Sequence, residues 1–106
     1  MSATPREQLD AIARWRDRGK DQFSPSCKHY LRPGFSDLDN AAAIILLMEK
    51  AKKDGWLISI SYGTFVKMSG KRTERITGFG EYSYYETLTE ATTNLFSQIA
   101  GESDAL

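Results

Sequence analysis

The order of segments in residues 36–101 limits the fold of this chain more than any other feature. A capped and strongly apolar helix comes first, strand-forming segments rich in aromatic residues follow, and a second capped helix is closed by Gly101. A chain of 106 residues can bury one modest core. We therefore predict an α+β core domain over residues 36–101, in which a small antiparallel sheet of about three strands, in the order helix-strand-strand-strand-helix, carries the helices packed on it.

Residues 1–35 precede this domain and are predicted to form an extra N-terminal helix and an anchored connector. Thr4, Pro5 and Glu7 have the spacing of an N-cap, a first-turn proline and the acid of a capping box. Trp15 falls near the edge of the apolar face of this helix, and Gly19 is a plausible stop. The connector carries apolar residues that we interpret as anchors against the core: Phe23, Tyr30, Leu31 and Phe35. Residues 102–106 are predicted to be a polar tail.

Local signals place the elements of the core domain. Residues 36–39 and 87–90 have the spacing of capping boxes, and each is followed by a helical apolar pattern. Residues 56–63 alternate as in a strand, and the large residues of one face are Trp56, Ile58, Ile60 and Tyr62. A weaker strand over residues 64–68, a turn over 69–72 and a third strand over 73–84 are predicted next. Gly78 and Gly80 are interpreted as points where a helix approaches the sheet closely.

Motifs for chemistry are lacking in this sequence. Cys27 and His29 are the only residues of their types; two residues apart on a loop, they offer neither the geometry of a nucleophile and its base nor enough ligands for zinc. No segment reaches the ~20 apolar residues of a membrane-spanning helix. A single cysteine suits a reducing compartment. We therefore expect a cytoplasmic protein that is not an enzyme, with no cofactor, no metal and no membrane partner.

Aromatic and basic side chains on the strands are the candidate contact surface. Tyrosine and tryptophan dominate the energetics of protein interfaces, and a group of lysines and arginines around a turn can bind phosphate or an acidic partner. The residues predicted to bind a partner are Tyr62, Phe65, Lys67, Lys71, Arg72, Arg75, Tyr82, Tyr84 and Tyr85.

Three motifs in residues 39–100 resemble small phage-encoded proteins with an ABA-sandwich layout. The matching segments are residues 55–60 (GWLISI), 78–82 (GFGEY) and 87–91 (TLTEA). The resemblance implies a bacteriophage accessory protein, a viral protein acting in the host cytoplasm. It also implies an anti-defence role, such as that of an anti-CRISPR inhibitor that binds a host protein or complex. Residues 1–35 lie outside the resemblance and are expected to supply a specific contact.

Two other functions stay open. The helix-strand-strand-strand-helix order also resembles a double-stranded-RNA-binding domain, but that family carries lysines at the start of its last helix, where this chain has Thr87, Thr89 and Glu90. Nucleic acid is therefore an alternative partner. The other alternative is a small-ligand sponge, with Trp56 and Tyr82 lining a pocket at a homodimer interface. The sequence does not determine the oligomeric state.

Overall fold

A computed structural model describes residues 4–17, 29–32, 34–61, 65–72 and 83–104. Within these ranges the elements are α1 (Pro5–Arg16), α2 (Ala41–Lys53), β1 (Trp56–Ser61), β2 (Val66–Arg72), β3 (Ser83–Tyr85) and α3 (Leu88–Asp104). The strands form one antiparallel sheet in the order β1-β2-β3. This confirms the predicted α+β fold, with helix-strand-strand-strand-helix order and an extra N-terminal helix.

The core lies between the helices and one face of the sheet. α3 packs on β2 and β3, α2 packs against β1, and α1 packs on α3. Phe96 and Ile99 of α3 and Leu47 of α2 are among the largest fully buried side chains. The helical layer therefore covers one side of the sheet and encloses a continuous apolar cluster.

Trp15 makes α1 part of this core. Its ring stacks on Phe96 with centroids 5.8 Å apart, and its indole N–H donates to Asp54 Oδ2 at 3.1 Å. Only 2% of the residue is exposed, whereas the sequence pattern placed it at the edge of the apolar face. The sequence pattern of α1 could not show this burial, because Phe96 lies in α3 and Asp54 lies at the end of α2.

The strands differ from the sequence prediction at two places. The turn predicted over residues 69–72 is wrong, because β2 continues to Arg72 and pairs with β1 from Ser61↔Lys67 to Trp56↔Arg72. Gly70 pairs with Ile58 within this ladder, and the absence of a side chain there lets Leu95 and Ile99 of α3 pack closely on the strand. Of the predicted third strand, β3 accounts for residues 83 and 84, and residues 73–82, with Gly78 and Gly80, lie outside the described ranges.

The last helix also extends beyond its predicted end. α3 continues through Gly101 to Asp104. A glycine ends a helix when it adopts a left-handed conformation, and among the described glycines only Gly34 and Gly55 have positive φ. Gly55, which follows the C-cap of α2, has this conformation.

A polar latch made by Asp37, Asn40 and Thr89 fastens the segment before α2 to the start of α3. Asp37 accepts hydrogen bonds from the backbone N–H of Leu88 at 3.1 Å and of Thr89 at 2.7 Å, and also from the Thr89 hydroxyl at 2.7 Å. The fully buried Asn40 donates to Thr89 Oγ1 at 3.2 Å and accepts from the Arg32 N–H at 2.9 Å. The latch thus satisfies amide groups that a helix start would otherwise leave unpaired.

Of the anchors predicted in the connector, Leu31 is confirmed as a core residue with 5% exposure. Phe35 is not buried. Half of it is exposed, and the Arg32 guanidinium lies 4.3 Å from its ring centroid. Phe23 lies outside the described ranges.

Candidate functional site

The face of the sheet opposite the helices carries the candidate site. Strand alternation places Trp56, Val66 and Met68 toward the core, so the intervening residues of each strand point the other way. We call this surface the open face and define it by Leu57, Ser59, Ser61, Phe65, Lys67, Ser69, Lys71 and Tyr84. Three of its large side chains are more than half exposed: Leu57 at 63%, Tyr84 at 58% and Phe65 at 55%.

Phe65, Lys67 and Tyr84 form a compact cluster at the β2–β3 side of the open face. Lys67 and Tyr84 are direct cross-strand partners, and the Lys67 ammonium lies 4.6 Å from the Tyr84 ring centroid. The Phe65 and Tyr84 rings meet edge to face at 6.0 Å and 89°. Both arrangements are favourable geometries for aromatic rings, so the two contacts stabilise the cluster.

Leu57 and Lys71 extend the open face along the other end of the strands. They are paired across β1 and β2, and both are exposed. Ser59 and Ser69 are the pair between them and the aromatic cluster. The charged side chains of the open face as defined are lysines, so this surface combines exposed apolar area with positive charge and suits a partner with an apolar patch beside acidic groups.

The structure brings together four of the predicted contact residues, Phe65, Lys67, Lys71 and Tyr84. It separates Arg72 and Tyr85 from them. Arg72 pairs with the buried Trp56, and Tyr85 packs against the apolar core, so both lie on the helix-facing side of the sheet. Arg72 and Tyr85 therefore do not share the open face with the other four, because neighbours along a strand point to opposite faces, and a binding role for any of the six stays a prediction.

Tyr62, Arg75 and Tyr82 lie outside the described ranges. Leu57 is the large exposed side chain of the open face that the sequence prediction missed. The alternation of β1 contained the signal, since it placed Leu57 on the side opposite Trp56. The pattern could not show which side of the sheet the described helices α1, α2 and α3 would cover.

A second concave surface lies between the end of α1 and α2. This open cleft has a volume of about 410 Å³ and is lined by Arg16, Asp17, His29, Tyr30, Leu46, Glu49, Lys50 and Lys53. Several of its polar groups satisfy one another. Asp17 accepts from Arg16 Nη2 and from the Tyr30 hydroxyl, both at 2.7 Å, and Lys50 pairs with Asp54 at 3.0 Å. The Arg16 guanidinium also donates to the His29 carbonyl and stacks on Tyr30.

The ionisation of Tyr30 reflects this pairing. The hydrogen bond to Asp17, with burial and the negative charge of that carboxylate, raises the pKa of Tyr30 above its ordinary value. A tyrosine held more firmly in its protonated form is a poor base or nucleophile at neutral pH. The hydrogen bonds from Tyr30 to Asp17 and from Arg16 to the His29 carbonyl fasten the segment around residue 30 to the end of α1.

Side chains that could ligate a metal ion are dispersed in the part of the chain that the structure describes. No group of three or more His, Cys, Asp or Glu side chains is placed to hold a metal ion in those ranges. His29 lies exposed at the rim of the cleft, and Cys27, its predicted neighbour, is outside the described ranges. No described helix combines the length and apolar character needed to cross a membrane.

Comparison with protein-family models, with curated proteins and with solved structures gives no significant match. The open face and the cleft are therefore interpreted from their own residues.

Proposed function

We propose that this protein is a non-enzymatic binding protein that docks a partner protein on its open face. The observation that supports this most directly is the exposure of Leu57, Phe65 and Tyr84 on one sheet surface beside Lys67 and Lys71. Large exposed apolar side chains on one face are typical of interaction sites, and aromatic rings contribute disproportionately to binding energy.

The proposed partner is a bacterial host protein with an apolar patch and an acidic rim. The bacterial source follows from the resemblance of residues 39–100 to phage accessory proteins, which also makes a defence component, such as part of a CRISPR–Cas complex, the first target to test. The acidic rim follows from the two lysines. Binding to a surface that the target needs would make the protein an inhibitor.

The test is affinity capture from a nuclease-treated bacterial lysate, followed by titration of the recovered partner against matched variants. Phe65→Ala removes an open-face ring, and Phe35→Ala removes a ring of similar exposure from the segment before α2. We expect Phe65→Ala to raise the Kd by about tenfold or more and Phe35→Ala to leave it nearly unchanged. Equal effects of the two substitutions, or no protein retained after nuclease treatment, would contradict the proposal.

Single-stranded nucleic acid is the second candidate, and the Lys67–Tyr84 pair is the observation that favours it. Exposed rings on a sheet can stack on bases at about 1–3 kcal/mol each, while lysines contact the phosphates. Duplex RNA is less suited, because Thr87 and Glu90 occupy the start of α3. Material that is lost after nuclease treatment, together with oligonucleotide binding that weakens with salt and with Tyr84→Ala, would favour this candidate over the first.

A further inference from the structure

The two lysines of the open face differ in their surroundings. Lys67 is half-buried, and its ammonium lies 4.6 Å from the ring centroid of Tyr84, its cross-strand partner. Lys71 is exposed, and among the described residues its ammonium pairs with no carboxylate and lies over no aromatic ring. One lysine of this surface is therefore in contact with a ring of its own chain, whereas the other presents its charge to solvent.

The contact made by Lys67 acts within the open face itself. A cation over the face of a tyrosine ring is attracted to it by about 0.5–1 kcal/mol at an exposed site. The same ring meets Phe65 edge to face at 6.0 Å, so Tyr84 lies between a cation and a second ring. An acidic group that drew the Lys67 ammonium away would weaken this arrangement. Lys67 is therefore better suited to orient Tyr84 than to form an ion pair with a partner.

The surroundings of Lys71 suit an acidic side chain. Its cross-strand partner is Leu57, which is 63% exposed. The open face as defined contains no acidic residue, so no side chain of that surface neutralises the Lys71 ammonium. A carboxylate placed against this ammonium would bring its own methylene groups close to Leu57. The pair thus offers one positive charge and one apolar contact at the same place, which complements an aspartate or glutamate of a partner.

The distance between the two lysines favours an extended partner segment. Lys67 and Lys71 are four residues apart on β2, so they share a face and lie about 13 Å apart along the strand. Small side chains, those of Ser59 and Ser69, lie between them. In an extended segment, residues four positions apart also lie on one side at about 13 Å. A helix brings residues seven positions apart to one side at about 10.5 Å, which matches this spacing less well.

We propose that Lys71 and Leu57 bind an acidic side chain of an extended partner segment, while Lys67 positions Tyr84 to contact an apolar side chain four residues away in that segment. The inference rests on the proposed function, because it concerns the docking of a partner protein on the open face. It adds the chemistry of the segment that docks, and it assigns different roles to two lysines of the same strand.

The first test uses the synthetic peptide acetyl-GWSSSEG-amide, in which the tryptophan and the glutamate are four positions apart. A second peptide with glutamine in place of the glutamate is its control. Each is titrated to millimolar concentration into the isotope-labelled full chain at low salt, and amide NMR spectra are recorded. We expect the glutamate peptide to shift the signals of Leu57, Lys71 and Tyr84. The glutamine peptide should shift Tyr84 and leave Lys71 nearly unchanged, with a Kd about fivefold higher or more.

The second test uses Lys71→Met and Lys67→Met, which remove the same charge from the same face of β2 and keep an unbranched side chain. Lys71→Met should abolish the difference in Kd between the two peptides. Lys67→Met should preserve that difference and change the ring signals of Tyr84 in the absence of any peptide. Circular dichroism of both variants should match that of the natural chain.

Three results would overturn the inference: no shift at Lys71 with the glutamate peptide, an undiminished difference between the peptides in Lys71→Met, or a spectrum that oligothymidine changes and neither peptide does. Its failure is separable from that of the proposed function. A captured partner that Phe65→Ala weakens and Phe35→Ala does not, but that Lys71→Met and Lys67→Met bind equally well, would support docking on the open face and overturn the roles given to the two lysines.

Discussion

At the scale of single residues, Gly70 shows how the absence of a side chain positions a helix. A Cβ atom built at Gly70 would lie 3.3 Å from Leu95 Cδ1 and 3.5 Å from Ile99 Cδ1, so α3 rests directly on the middle of β2. The sequence pattern predicts this kind of role for Gly78 and Gly80 and places Gly70 in a turn. Serine and glycine together are a turn signal, and the pairing of residues 69–72 with β1 overrides it.

Gly70→Val should lower the free energy of unfolding by about 1–3 kcal/mol, because the added methyl groups overpack the contact with Leu95 and Ile99. Gly70→Ala should cost less, since its single methyl group meets the movable end of a leucine. Ser69→Val is the control: it adds a branched side chain on the open face and should change stability by no more than about 0.5 kcal/mol. Urea denaturation measures all three, and a loss for Ser69→Val equal to that for Gly70→Val would contradict the packing explanation.

Asp37 is a second residue whose effect depends on a distant partner. Burial tends to raise the pKa of its carboxyl group, but the hydrogen bonds from the Thr89 hydroxyl, the Thr89 N–H and the Leu88 N–H outweigh this, and the pKa lies below its ordinary value. Folding thus favours the charged form. The resulting stabilisation is present above the ordinary aspartate pKa of about 3.9 and is lost as the pH falls through the lower pKa of the folded state.

Asp37→Ala should therefore destabilise the protein by about 0.5–2 kcal/mol at pH 7, the usual cost of losing a helix cap. The difference from the natural chain should shrink below about pH 4, where the natural carboxyl group also becomes protonated. Urea denaturation of both proteins at several pH values checks this. Asp39→Ala removes an exposed neighbouring carboxylate and serves as the control. A deficit for Asp37→Ala that stays constant down to pH 3 would show that the charge is irrelevant.

At the scale of elements, α1 is joined to the rest of the protein mainly through its last turns. Trp15 contacts α3 through its ring and the end of α2 through its N–H, and Arg16 and Asp17 hold the segment around Tyr30. The first turn is held locally, since Thr4 accepts the Glu7 N–H at 3.2 Å as its capping sequence predicts. The start of α1 is therefore specified by its own capping sequence. Its packing on the rest of the protein depends on residues that lie far along the chain.

Trp15→Ala should reduce the free energy of unfolding by about 3–5 kcal/mol, as expected for a large aromatic side chain removed from a core. Trp15→Phe keeps a ring against Phe96 and loses the hydrogen bond to Asp54, which Lys50 still neutralises, so its cost should be nearer 0.5–1.5 kcal/mol, about the net value of one hydrogen bond. Thermal and urea denaturation give both values. If Trp15→Ala cost less than about 1 kcal/mol, α1 would be an appendage and not part of the core.

At the scale of the whole molecule, the sequence predicts the order of the elements well because the signals for each element are local. The caps at Thr4 and Thr87, the end of α2 at Gly55 and the alternation of β1 each involve residues within a few positions of one another. The length of β2 and the burial of Trp15 could not be predicted in this way, since the first depends on pairing with β1 and the second on contacts with Phe96 and Asp54.

In the candidate site, too, features set by local sequence could be predicted and those set by contacts between strands could not. Alternation is enough to place Lys67 and Tyr84 on opposite sides of their strands from Val66 and Tyr85. The register between strands, which puts Lys67 directly beside Tyr84 and Lys71 beside Leu57, is a property of the assembled sheet. The sequence therefore supplied residues of the right chemistry but could not separate those that share the open face from Arg72 and Tyr85, which face the helices.

The cap that Asp37 provides to α3 has a consequence for how the protein folds. Most helix caps come from the adjoining residue, but here the carboxylate and the amide groups are 51 and 52 positions apart. The entropy of closing so long a loop must be overcome before this cap forms. α3 therefore gains its full stability only once the intervening strands have assembled, which couples the last helix to the sheet and favours all-or-none folding of the domain over stepwise growth from either end.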